Sequence, residues 1–154
     1  MRNAKTIIKE PMSMREKLVL RVVTKAVIPF ILLFAFYVQF HGDFGPGGGF
    51  QAGVILASAY ILFGLIYGLD TMRRVVPPRL IEVLMATGVL IFAAVGIASL
   101  IQGGNFLDYS VFDKHHPSHG QHLGIFWIEN GVGITVASSM IAIFDAFAGR
   151  GRLK

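Results

Sequence analysis

Four apolar segments, each about 20 residues long, constrain this chain of 154 residues more than any other feature of its sequence. About 20 apolar residues in a helix are needed to cross a hydrocarbon layer of about 30 Å. The layer offers the backbone no water, so a crossing segment must satisfy its own amides and carbonyls as a helix. We therefore predict an all-α integral membrane protein with four transmembrane helices, over residues 18–40, 50–69, 80–101 and 123–147.

These helices leave no room for a separate soluble domain. They form one predicted transmembrane domain over residues 18–147, with an interfacial segment at 1–17 and a short basic tail at 148–154. Charged residues make up 15% of the chain, against about 25% in soluble domains. The chain has no cysteine, which excludes disulfides and thiolate metal sites.

The basic residues indicate an orientation. Thirteen of the 14 Lys and Arg residues lie before or within the start of the first helix, between the second and third helices, or after the fourth; the exception is Lys114. Because basic loops stay inside, both termini are expected in the cytoplasm of a multi-pass protein of the cell membrane. This segregation explains the basic composition without nucleic acid, and the expected contact is with lipid headgroups of the bilayer.

The stretch "HGDFGPGGGF" (41–50) is then a turn on the outer face, followed by a helix with a stripe of small residues. A phosphate-binding loop is disfavoured, because the GK[ST] element and nearby basic residues are missing. The small residues allow another helix to approach closely, either within this chain or also in a neighbouring subunit. The turn and stripe residues are Pro46, Gly47, Gly48, Gly49, Phe50, Gly53, Ala57, Gly64 and Gly68.

Acidic residues in a membrane are costly, and they are therefore candidates for an ion path. Glu129 is the first candidate, because it is the acid nearest the middle of a predicted helix. Glu82, which shares a helix face with Ala86 and is expected to point at protein, and Asp43, beside the glycine turn, follow it. A structural hydrogen bond is the alternative for Glu129. Asp145 lies near the inner end of its helix, where a structural role is expected.

The stretch "HHPSHGQH" (115–122) contains four histidines, which are common metal ligands. It is interrupted by Pro and Gly, so we expect an exposed loop rather than a metal site. A membrane metalloenzyme built on this cluster is the rival hypothesis. No pattern indicates a nucleotide, another cofactor or a catalytic triad.

The sequence resembles the MnhB-type subunits of the Mrp (Mnh/Sha) multisubunit Na⁺/H⁺ antiporters over residues from about 25 to 147. The resemblance rests on "PGGGF" (46–50), on Gly53 three residues later, and on the "ENGVG" stretch (129–133) in the fourth apolar segment. The polar residues before the motif, His41-Gly42-Asp43-Phe44, depart from the family's usual pattern.

The resemblance implies a small accessory subunit that braces or lines an ion path in a hetero-oligomeric complex exchanging Na⁺ for H⁺. Its partners would include large subunits similar to the antiporter-like subunits of respiratory complex I. A transporter subunit, not an enzyme, is expected. The alternatives are a subunit of the cation-translocating module of a membrane-bound hydrogenase-type complex and a purely structural scaffold.

Overall fold

The computed structural model describes residues 18–42, 47–113 and 115–150, and this part of the chain is helical without strands. Four helices are long and apolar enough to cross a membrane, which confirms the predicted all-α class and its four apolar helices. The predicted segment 1–17 lies outside the described residues. The helices are α1 (Leu18–His41), α2 (Gly49–Tyr67), α3 (Leu69–Val75), α4 (Pro78–Ile101) and α5 (Pro117–Arg150).

Helix α5 is the centre of the arrangement. It packs against α4 on one side and α2 on the other, while α1 packs mainly against α2. The buried apolar cluster draws its residues from four of the helices and is small. It consists of Ala57, Leu69, Met72, Ile81 and Ile141. Much apolar surface of α1 and α4 therefore faces outward, as expected for helices in contact with lipid or other membrane helices.

Glycines set the distances between α5 and its two neighbours. A Cβ added at Gly53 of α2 would lie 2.7 Å from the carbonyl oxygen of Gly133. A Cβ at Gly88 of α4 would lie 2.7 Å from the carbonyl oxygen of Gly131. Both distances are too short for a real side chain, so the backbones touch. Such small-residue contacts hold membrane helices together, because apolar burial alone gives no advantage in lipid.

The small residues of α2 pack inside this chain, with one exception. Gly49, Gly53, Ala57 and Gly64 are buried. Gly68 does not continue the stripe, because α2 ends at Tyr67 and Gly68 has a φ of 90°, which favours glycine. The second predicted helix is thus two residues shorter at this end.

The segment after Gly68 is a short helix rather than an open loop. Met72 of α3 is fully buried and lies against Gly64. The Tyr60 hydroxyl of α2 donates to the Met72 carbonyl at 2.6 Å and lies 3.2 Å from the Val76 carbonyl. These bonds satisfy carbonyls at the end of α3, which its own turn leaves free.

The histidine-rich stretch corrects the prediction of a broken loop. Helix α5 begins at Pro117, a residue suited to the first helical position, so His119 and His122 are helical. The added turns are supported because Tyr109 packs against Gly120 and Gly124. The glycines that were expected to interrupt the segment are instead the places where the preceding loop packs on it.

Asp113 fixes the chain just before this helix. Its carboxylate accepts hydrogen bonds from the backbone amides of His115 and His116, both at 3.0 Å, and lies 3.3 Å from Nδ1 of His119. The amide of His116, then that of His115, and the His119 ring hold the pKa of Asp113 below its usual value. No group of three or more potential metal ligands occurs in the described part of the chain.

At the opposite end of the molecule, Asp145 of α5 has a specific partner. Arg73 of α3 donates to both carboxylate oxygens, at 2.8 and 3.0 Å. The Asp145 side chain is 15% exposed and that of Arg73 is 40% exposed. A two-point bond of this kind fixes both distance and orientation, so α3 is tied to the end of α5.

Replacing Asp145 with Asn tests this connection. We expect a lower thermal midpoint of the detergent-solubilised chain, equivalent to about 1 kcal/mol because Arg73 remains partly accessible to water. Arg74→Gln is the control, since Arg74 is an exposed neighbour of the same charge type. An equal loss in both variants, measured by fluorescence-detected thermal unfolding, would contradict a specific role for the pair.

Candidate functional site: Glu129 and the glycine turn

The two motifs that carry the family resemblance meet in space. Glu129 of α5 directs its carboxylate at the turn between α1 and α2. A Cβ added at Gly42 would lie 2.7 Å from Oε2 of Glu129, and one added at Gly48 would lie 2.8 Å from Oε1. The carboxylate therefore occupies space that side chains at Gly42 and Gly48 would fill. We call this arrangement of Gly42, Gly48 and Glu129 the carboxylate cradle.

The backbone conformation of the turn depends on the same glycines. Gly48 has a φ of 113°, a value that other residues rarely adopt. Its amide donates to the Val38 carbonyl of α1 at 3.2 Å, which holds the start of α2 against the end of α1. A Cβ at Gly47 would lie 2.8 Å from that same carbonyl oxygen. Positive φ and close approach thus explain why several glycines occur in succession.

The backbone of α5 also enters the contact. A Cβ at Gly49 would overlap the carbonyl oxygen of Glu129, and one at Gly133 would lie 2.7 Å from Oε1 of Gln39. The start of α2, the end of α1 and one turn of α5 therefore touch through glycines. Glu129 and Gly133 are four residues apart and lie on the same face of α5.

The cradle lies deep relative to the outer ends of α4 and α5. Helix α5 begins twelve residues before Glu129, which corresponds to about 18 Å of helix. Gly88 packs beside Gly131, and α4 continues from there to Ile101. The turn between α1 and α2 is thus recessed below these two helix ends. Non-helical backbone at membrane depth occurs where protein buries it or where it lines a water-filled space.

Further polar groups adjoin the cradle. Gln39 and Asn130 both line a groove of about 520 Å³ between α1, α2 and α5. Asn130 donates from Nδ2 to the Phe126 carbonyl at 2.7 Å. A carboxylate, two carboxamides and exposed backbone groups are the ligand types that hydrated or partly dehydrated monovalent cations and protons use.

The other candidate acids and turn residues are placed differently. Glu82 is exposed on the surface of α4, so the expectation that it faces protein is wrong within this chain. Asp43 and Pro46 lie outside the described residues. Phe50 is 61% exposed and does not pack in the cradle.

Sequence reasoning missed Gln39, Gly42 and Gly133. Their contacts join three segments that are distant in sequence. The signal that was available is the spacing in "ENGVG", which places Glu129 and Gly133 one helical turn apart. That spacing indicates one face of a helix but does not identify the turn that this face meets.

Gly48→Ala tests the contact of the cradle. The new Cβ would meet the carboxylate and would also suffer the strain of a positive φ, so we expect a loss of stability of about 2 kcal/mol or more. Gly103→Ala is a matched control, because Gly103 has a φ of 84° with nothing within 4 Å of an added Cβ.

A third variant separates strain from contact. Combining Gly48→Ala with Glu129→Ala should return part of the thermal midpoint lost in Gly48→Ala alone, because the overlapping carboxylate is gone. Thermal unfolding in detergent measures all three. Equal losses at Gly48 and Gly103, with no recovery in the double variant, would contradict the cradle.

Comparison with known proteins identifies the family. The model described as "Domain related to MnhB subunit of Na+/H+ antiporter" matches residues 19–142. The protein named "Putative antiporter subunit mnhB2" of Staphylococcus haemolyticus is 37% identical over 133 residues, covering 85% of this chain and 94% of the relative. A Bacillus subtilis protein, named as the B subunit of a Na(+)/H(+) antiporter, is 33% identical over 132 residues, covering 80% and 92%. The chain is thus a multi-pass membrane protein that belongs to the MnhB family.

Proposed function

We propose that this chain is the MnhB-type accessory subunit of a multisubunit Na⁺/H⁺ antiporter and that Glu129 lies on or beside the route of a cation or proton. The carboxylate cradle is the observation that carries the second part. An acid within an apolar helix is retained at a cost, and here it is held against irregular backbone that is recessed from the outer surface.

Membership of the MnhB family supports the first part. The Bacillus subtilis relative is named as a subunit of a Na⁺/H⁺ antiporter. The architecture agrees with a subunit that works among others, because α1 and α4 expose many large apolar side chains on their outer faces. The partners would include large antiporter-like subunits, and Na⁺ and H⁺ would be the ions moved by the complex.

The chain would contribute geometry rather than covalent chemistry. In the cradle, Glu129 can hold a proton or accept a cation, and the glycine backbone can supply dipoles without blocking the space. The rigid glycine contacts between α5 and α2 would keep the carboxylate in place while larger subunits move. The alternative, a scaffold with no part in ion movement, predicts unchanged exchange when Glu129 is neutralised.

Glu129→Gln distinguishes these roles. Gln has nearly the same shape but neither titrates nor carries charge, so assembly should persist. We expect Na⁺/H⁺ exchange in inverted vesicles to fall about tenfold, the effect of losing about 1.4 kcal/mol of charge-dependent interaction.

Glu82→Gln is the matched control, because Glu82 is also an acid of an apolar helix but lies away from the cradle. Co-purification of the other subunits is measured in parallel. Normal exchange in an assembled Glu129→Gln complex would leave only the scaffold role; failure of any antiporter subunit to co-purify would contradict the first part.

We further propose that both termini are cytoplasmic, following the basic residues near the ends of the apolar helices. The absence of cysteine from the chain permits single-cysteine variants in an otherwise unreactive background. A cysteine replacing Lys154 should react with a membrane-impermeant maleimide only after permeabilisation, and one replacing His119 should react in intact cells. The reverse pattern would invert the topology.

A further inference from the structure

A continuous hollow runs along α1, from the groove beside the cradle to the end of the molecule where α1 begins. The groove, of about 520 Å³, has apolar walls from α1, α2 and α5 over most of its length. Its size is within the range of about 300–1,000 Å³ that is common for small-molecule sites.

A second hollow of about 510 Å³ adjoins it at the basic end of the molecule. Ile28 and Phe63 line both hollows, so the two are continuous. Arg21 and Lys25 belong to the lining of the second hollow only. The combined space is therefore apolar along the helices and cationic at one mouth.

One face of α1 builds most of this wall. Successive positions on that face change from basic to apolar in the direction of the cradle, at the three- and four-residue spacing of a helix face. They are Arg21, Lys25, Ile28, Leu32 and Ala35.

The cationic mouth is structurally fixed. The Tyr67 hydroxyl of α2 donates to the Arg21 carbonyl at 2.9 Å. The guanidinium carbon of Arg21 lies 5.3 Å from the centroid of the Tyr67 ring, a cation–π contact. Two contacts from one tyrosine thus hold the start of α1 against the end of α2 and place the charge of Arg21 beside the mouth.

We propose that this hollow binds one anionic phospholipid, with its phosphate between Arg21 and Lys25 and one acyl chain along the groove. The occupant is argued from the charge distribution. Basic pockets between membrane helices are typical sites for anionic headgroups, and a mouth with two cations beside an apolar channel matches the two parts of such a lipid.

The dimensions agree with this occupant. From Lys25 to Ala35, α1 rises by ten residues, or about 15 Å. The hydrocarbon of one leaflet is half of about 30 Å, which is the same length. A headgroup at Lys25 therefore places its acyl chain against Ile28, Leu32 and Ala35.

A helix of a neighbouring subunit is the competing occupant. It would have to present an acidic group beside Arg21 and Lys25 and apolar side chains along the groove. The lipid is favoured because the groove lies between helices of one chain and narrows onto the small residues Ala52 and Gly53 of α2, which an acyl chain can contact and a whole helix reaches less closely.

Titration of phosphatidylglycerol onto the delipidated full chain in mild detergent tests the headgroup site, with native mass spectrometry counting bound lipid. Phosphatidylcholine serves as the neutral probe. The double variant Arg21→Gln, Lys25→Gln should bind phosphatidylglycerol about 30-fold more weakly, the effect of two basic groups near an anionic headgroup. Its phosphatidylcholine binding should change little.

Arg74→Gln with Arg79→Gln is the matched control. It removes the same charge from the same end of the molecule at exposed positions that line neither hollow. An equal loss in this pair, or equal affinity of the unmodified chain for the two lipids, would overturn the proposal.

A photo-crosslinking residue in place of Leu32 identifies the occupant in the assembled complex. A phospholipid adduct supports the proposal, and a polypeptide adduct would overturn it in favour of a helix from another subunit. This result does not depend on ion exchange, so it separates failure of the lipid site from failure of the proposed antiporter function.

Discussion

The close approach of α5 to α2 and α4 is the contact on which the rest of the structure depends. At Gly53 and Gly133, and again at Gly88 and Gly131, backbone lies against backbone with no space for a side chain. In lipid, where burial of apolar groups gives little advantage, such contacts are a main source of helix association. They also set the depth and rotation of α5 relative to its neighbours, and so they determine where Glu129 points.

The carboxylate cradle follows from this geometry. Glu129 is held at the turn because α5 lies near enough for its carboxylate to reach Gly42 and Gly48. The glycines have two functions there, since they permit the positive φ of the turn and leave space for an acid. A single arrangement therefore explains why the glycine-rich turn and the Glu-Asn-containing stretch occur together, although about 80 residues separate them in the sequence.

The periphery has a different character. The Arg73–Asp145 pair and the bonds of Tyr60 fix the α3 end of the molecule by polar contacts, whereas α1 is held mainly along α2. This asymmetry leaves the groove open along α1, between a polar end at Gln39 and Asn130 and a basic end at Arg21 and Lys25. An edge helix of this kind is suited to contacts with lipid or with other subunits.

Sequence alone determined the fold class, because the length and apolarity of four segments allow only helices in a bilayer. It also singled out Glu129 and the glycine turn as separate features. It did not determine that α2 breaks at Gly68, that α5 extends back to Pro117, or that Glu82 faces outward. The hydrophobic pattern records what a helix contains, while these outcomes depend on which neighbour meets each face.

Only the tertiary structure brought Glu129, Gln39 and the turn together. The physical reason is that their contacts are set by the rotation and depth of packed helices. Glycine has no side chain with which to reveal its partner in the sequence, and a carboxylate on a helix carries no mark of the segment that it reaches. Composition and periodicity therefore identified the helices and their acid, and packing decided what the acid touches.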